Sequence, residues 1–137
     1  MLLAQSQTIA TLSPAVALDR GAERRPPART LIDNGANVAL ASGGHSPNLQ
    51  MTIALACQAM NMTAAEAIAA ATINGAHAMG RARSIGSIEA GKSADLTILG
   101  VPDYRELPYH FGVNLVNLVM IRGAVLVERS EVKWPVL

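Results

Sequence analysis

Three histidines, one cysteine and a few carboxylates are the side chains here that could hold a metal, move a proton or attack a carbonyl. His45, His77 and His110 stand 32 and 33 residues apart. No two of them share a helix turn or a strand face, so local spacing supplies no zinc-type ligand pair. His45 sits in a loop of turn formers, Ser42-Gly43-Gly44-His45-Ser46-Pro47. It could ligate a metal with partners from elsewhere, or be a solvated loop histidine. The loop does not meet Gly-x-Ser-x-Gly, so it is no nucleophile elbow. Its glycine pair reads either as an anion-binding nest ahead of a helix or as an ordinary tight turn. His77 falls near a helix end, where the dipole favours a cation. His110, within Tyr109-His110-Phe111-Gly112-Val113-Asn114, reads as part of a packing segment. Cys57 lies in an apolar run with no base beside it, which predicts a buried inert thiol. Asp103, Arg105 and Glu106 form a charged loop without a catalytic pattern. Asp95 opens an apolar alternation, where a short carboxylate can accept hydrogen bonds from turn amides.

The elements that must position these groups come in two kinds. Thr8 to Leu12 alternates and reads as a strand, with Ser13-Pro14 opening a loop. Pro26 or Pro27 suits a first helical residue, and Ala28 to Asp33 a short helix stopped by Asn34-Gly35. Val38 to Ala41 is an apolar strand, so strand, helix and strand predict a parallel pair. Asn48 is placed to cap a helix through about Asn61. Thr63 with Glu66 forms a capping box, opening an alanine-rich helix that runs to about Met79. The rest is β: a brief strand at Ile88, then Asp95 to Leu99, Leu115 to Ile121 and Ala124 to Glu128. A turn at Arg122-Gly123 predicts antiparallel pairing. Pro102 to Pro108 reads as a loop and Ser130 to Leu137 as a loose tail.

Composition narrows the classes. Half of the residues are hydrophobic but few are aromatic, as inside an α/β enzyme. At 137 residues the chain cannot hold a (β/α)8 barrel of about 250 residues. A net charge of +1 gathers neither nucleic acid nor anionic membrane. Arg20, Arg24, Arg25 and Arg29 are balanced by Asp19, Glu23 and Asp33 and read as a solvated helix face. No apolar run reaches the length of a membrane span. Met1 to Ala17 lacks a basic start, making a poor signal peptide, and a reduced, cytoplasmic setting is expected.

The stretch Gly86-Ser87-Ile88-Glu89-Ala90-Gly91-Lys92-Ser93-Ala94-Asp95-Leu96 resembles the re-entry segment of the amidohydrolase superfamily, where the chain leaves a metal-dependent barrel and rejoins a small β-sandwich. Five further stretches resemble the imidazolonepropionase branch. These are Asn48-Leu49-Gln50, Leu55-Ala56-Cys57, Met62-Thr63 with Glu66-Ala67, Ala71-Thr72-Ile73-Asn74, and Leu107-Pro108 continuing through Tyr109 to Asn114. The similarity runs from about Ala10 to about Val127.

The resemblance implies an α/β fold: a C-terminal fragment of a (β/α)8 barrel, its last two strands and helices, plus part of the small β-sandwich. Residues 1–80 would be the partial barrel, and 81–137 the re-entry segment and tail. The complete enzymes hydrolyse the imidazolone ring C–N bond of imidazolonepropionate to N-formimino-glutamate in histidine breakdown, using zinc or iron. Their catalytic aspartate follows the last barrel strand, and Gly43 stands at that position. His45, Ser46 and Asn48 fall where the family holds substrate, although the loop is shortened. The family's His-x-His ligands would lie upstream of Met1, so this chain alone is expected to bind no metal and to be inactive. A completed barrel would restore the small-molecule substrate. The alternatives are an interaction module and a hydrolase with His45 in place of the aspartate. The module would pair with itself or with an N-terminal barrel partner through strand edges and an uncovered Ile53 to Met60 face. Nucleic acid and membrane are not expected partners.

Overall fold

A computed structural model describes residues 2–21, 25–43 and 46–128. After a 3-10 turn at Leu2–Gln5, strand β1 (Ile9–Leu12) leads into helix α1 (Pro14–Asp19), and helix α2 (Ala28–Asp33) leads into strand β2 (Asn37–Leu40). The strands pair in parallel, Ile9 with Asn37 through Leu12 with Leu40, as strand–helix–strand order requires. α1 replaces the loop expected there. Ser13-Pro14 places proline at the first helical position, where its missing N–H costs nothing.

Helix α3 (Leu49–Met60) is capped as expected: Asn48 Oδ1 accepts the Met51 N–H at 3.0 Å. It ends at Asn61 in the left-handed region, φ 55°. Its Ile53, Ala56 and Met60 share one buried cluster with Leu31 of α2 and Val38 and Leu40 of β2, and Leu55 is buried as well. The Ile53 to Met60 face is therefore core, not an uncovered surface. The capping box is present at α4 (Ala64–Ala71), but the helix stops at Thr72. There the Thr72 hydroxyl donates to the Ile68 carbonyl at 2.7 Å, a back-bond that competes with the helical ladder. The chain restarts as α5 (Ile73–Ala78). Asn74 Nδ2 donates to the Val38 carbonyl at 2.8 Å, tying α5 to the outer edge of β2.

The remaining strands, β3 (Leu96–Leu99), β4 (Val116–Ile121) and β5 (Ala124–Glu128), form a separate antiparallel sheet in the order β3-β4-β5. Ile88 joins no strand and is exposed. Between β3 and β4 the expected loop is a 3-10 helix, Tyr104–Tyr109, started by the Asp103 carboxylate accepting the Arg105 N–H. Its Leu107 joins the core, as does Leu115 at the mouth of β4. Two glutamines fasten this segment to α3. Gln50 Oε1 accepts the Leu115 N–H at 2.9 Å while its Nε2 donates to Asn114 Oδ1 at 3.2 Å. Gln58 Nε2 donates to the Pro108 carbonyl at 3.1 Å. The tail from Ser130 lies outside the described residues.

One ion pair locks α2 to α4. Arg29 grips both carboxylate oxygens of Glu66 at 3.0 Å, and Glu66 also accepts the Thr63 N–H at 2.8 Å. The Arg29 guanidinium, followed by the Thr63 amide and hydroxyl, holds the Glu66 carboxyl down at about 2, against a partial burial that opposes the charge. A pKa lower in the folded than in the unfolded chain adds stability above the ordinary value of 4.5, and that stability is lost as pH falls toward 2. Partial exposure limits the contribution to about 1–2 kcal/mol. Urea titrations across that pH range should show this loss in the native chain, with a smaller pH dependence in Glu66→Gln.

Candidate functional site

Both strands of the parallel pair end on the same side, so their following loops meet. The Ala41 N–H donates to the Leu12 carbonyl at 2.9 Å and carries the pairing one residue further. Gly43 follows at φ +78°, and a Cβ there would come within 2.2 Å of Val16 Cγ2 and 2.7 Å of Ser13 Oγ. Only glycine fits this backbone. α1, which the sequence reading did not anticipate, fills the place that a side chain at residue 43 would need. The Ser13 hydroxyl is itself buried without a hydrogen-bond partner among the described residues.

Beside it lies a cavity of about 270 Å³ lined by Val16, Asp19, Ser42, Ser46, Met51 and Leu55. Ser46 Oγ accepts the Asn48 N–H at 3.4 Å, and Asn48 spends its side-chain oxygen on the α3 cap. Both expected substrate residues therefore serve the start of α3. His45 and Gly44 lie outside the described residues. Asp19, read from sequence as a balancing charge, is the carboxylate of this cavity. The proline after Ser13 was the signal that could have placed it on a helix.

A larger cavity of about 1060 Å³ runs along β2 between α4, α5 and β3, with Ala39, Ala41, Ile68, Ile73 and Leu96 on its walls. Gly86 reaches its rim because a Cβ there would meet Ala76 Cβ at 2.6 Å and Ile73 Cα at 3.0 Å. The polar residues of the re-entry stretch satisfy one another. Lys92 Nζ donates to Glu89 at 2.9 Å and to Ser87 at 2.5 Å, and Ser87 donates to Glu89. Asp95 accepts the Arg122 N–H at 2.7 Å and the Ser93 hydroxyl at 2.9 Å. Those two bonds, the Arg122 amide first, hold its carboxyl below the usual range. Asp95 is thus an anchor between β3 and the β4–β5 turn.

The other histidines, the cysteine and the Asp103–Arg105 pair do not converge on one point. His77 is exposed in the last turn of α5, as the helix-end reading expects. His110 is exposed with Nε2 3.6 Å from Glu106, so Leu107 and Pro108, not His110, provide the packing of that segment. Cys57 is half-buried, and desolvation pushes its thiol up. Asp103 and Arg105 pair with each other, which holds Asp103 at about 2. Among the described residues no three histidines, cysteines or carboxylates gather to hold a metal. The described side chains therefore do not fit one.

Residues 3–126 match the model of the amidohydrolase family, and the chain belongs to that family. The likeness in fold to solved structures agrees. An atrazine chlorohydrolase from Arthrobacter aurescens TC1 complexed with zinc superposes with a TM-score of 0.79 at 26% identity, over 91% of this chain and 32% of that one. An adenosine deaminase from Xanthomonas campestris with bound Zn gives 0.77 at 29% identity, over 93% and 34%. Among curated proteins, the imidazolonepropionase of Parabacteroides distasonis is 49% identical over 88% of this chain and 30% of its own length. That of Geobacillus kaustophilus is 51% identical over 77% and 26%. The chain thus spans about 30% of the length of the curated relatives it matches. No described helix is long and apolar enough to cross a membrane.

Replacing Gly43 by alanine should destabilise the fold by about 2–4 kcal/mol, from left-handed strain and the Val16 clash together. Adding Val16→Ala should return part of that loss, measured as the change in urea midpoint at constant slope.

Proposed function

We propose that this chain carries the C-terminal part of an imidazolonepropionase-like amidohydrolase whose own catalytic loop has lost its chemistry. In this reading residues 1–80 supply the last two strands and helices of a barrel, and residues 81–137 part of the small β-sandwich. The observation that carries it is the Gln50 clamp. Two stretches of the resemblance, 48–50 and 107–114, meet in one contact, Gln50 with Asn114 and the Leu115 N–H. The substrate class is a cyclic amide of the imidazolonepropionate type, opened by water at the ring C–N bond. In complete family members a zinc or iron ion supplies the Lewis acid for that attack. Gly43, at the aspartate position, can neither ligate nor accept a proton, and Val16 and Ser13 leave no room for a larger residue. In this reading the loop after β2 does not supply the chemistry, and the metal ligands belong to the remainder of the barrel.

A second reading, an interaction module without chemistry, is favoured by the uncovered apolar residues of β5, Val125, Leu126 and Val127.

A chimera separates the two. The loop 42–47 is exchanged for that of the Parabacteroides distasonis relative, and the chain is co-expressed with the remainder of that enzyme. Ring opening, followed by loss of substrate absorbance, is expected from the exchanged chain and should be slower by about 10²–10⁴-fold with the native loop. An inert exchanged chain in an assembled complex would rule out the hydrolase reading.

A further inference from the structure

Helix α3 starts where the loop after β2 ends, and its first turn fixes that loop's end to the fold. The first N–H groups of a helix have no partner inside it, so an opening turn frays unless side chains hold it. Bonds within the turn do part of this. Asn48 Oδ1 accepts the Met51 N–H at 3.0 Å, Ser46 Oγ accepts the Asn48 N–H at 3.4 Å, and the buried Thr52 donates its hydroxyl to the Asn48 carbonyl at 3.1 Å. These bonds are local and move with the turn. Gln50, in the same turn, reaches another element. It accepts the Leu115 N–H at 2.9 Å and donates to Asn114 Oδ1 at 3.2 Å. Asn114 Oδ1 also accepts the Val116 N–H at 3.0 Å, so Gln50 is bonded to the residues that open β4.

We infer that Gln50 is a positioning residue for Asn48 and Ser46. It sets the opening turn of α3 against the mouth of β4, and through the Asn48 cap it sets the end of the loop after β2. Gln58 supplies the contrast. Its Nε2 fastens the Pro108 carbonyl to the same helix at 3.1 Å, but from about two turns further on, beyond the cap. Each glutamine satisfies a backbone group of a buried residue, Leu115 or Pro108. Loss of either therefore leaves a comparable unpaired group, whereas loss of Gln50 alone releases the turn that carries Asn48. The coupling between loop end and sheet stands on these bonds. Its consequence for substrate rests on the hydrolase reading above, in which Ser46 and Asn48 fall where the family holds substrate.

Amide hydrogen exchange of the full chain, followed residue by residue by nuclear magnetic resonance, tests the coupling. Gln50→Ala should speed exchange at Leu115, whose acceptor is gone. It should also speed exchange at Met51 by about tenfold or more, although Met51 keeps its own acceptor. Gln58→Ala should leave Met51 within about twofold of the native chain. Gln50→Glu keeps an acceptor for Leu115 and loses only the donor to Asn114, so it gives the same contrast at smaller amplitude should the alanine variant not fold. No acceleration at Met51 on loss of Gln50, or equal acceleration on loss of Gln58, would overturn the inference. The loop-exchanged chain co-expressed with the remainder of the Parabacteroides distasonis enzyme reads the consequence. There Gln50→Ala should raise KM about fivefold or more, which a loss of folded protein alone would not do, and Gln58→Ala should not. An unchanged KM would overturn the positioning role. An exchanged chain that is inert with Gln50 in place would count against the hydrolase reading, while the exchange rates at Met51 would still decide the coupling.

Discussion

The structure depends on how helix α3 is held at both ends of one face. Its inner residues Ile53, Ala56 and Met60 close the core over the parallel pair. Its Gln50 and Gln58 side chains reach the segment that leads into β4, satisfying the Leu115 N–H and the Pro108 carbonyl. A buried or half-buried backbone group left without a partner costs about 1–3 kcal/mol, so two amide side chains carry much of the union between the helical part and the sheet. Leu107 and Leu115 complete it by entering the same core. The 3-10 helix and the mouth of β4 are positioned by this helix face, while β3 and Asp95 hold the rest of the sheet.

The same economy shows in the residues that look most like chemistry. Glu89, Lys92 and Ser87 satisfy one another, Asp95 anchors the hairpin turn, and Asp103 starts a 3-10 helix. Glu66 completes a helix cap and a bidentate pair with Arg29. Glu66, Glu89, Asp95 and Asp103 are each held below the ordinary carboxylate range by a structural partner. Among the described residues none is raised by burial into the range where a general acid or base works. The loop after β2 follows the same pattern, with Ser46 and Asn48 spent on starting α3 and with Gly43 pressed onto α1.

Much of this was legible in the sequence because it rests on short-range rules. Helix α2 ends at Asn34-Gly35 as read, Asn48 and Thr63 cap their helices, and Arg122-Gly123 makes the hairpin turn. What escaped depends on contacts made across the chain. α1 looked like a loop because six residues give too little periodicity to read. The break at Thr72 comes from a hydroxyl back-bond and from α5 tying itself to β2 through Asn74. The burial of Ile53 to Met60 follows from α3 packing on the 3-10 helix Tyr104–Tyr109, α4 and α1. The candidate site was legible only as a position. That Val16 and Ser13 fill the space a side chain at Gly43 would need depends on the geometry of a helix that the sequence did not disclose.

The central claim is that the chain retains the scaffold of an amidohydrolase while its described residues assemble no metal centre. Metal content of the purified full chain, measured by mass spectrometry after exhaustive dialysis and again after incubation with zinc or iron, tests it most directly. The account predicts no stoichiometric metal in either case. Retention of about one zinc or iron per chain, as a resident catalytic ion would give, and lost in His45→Ala, would contradict it.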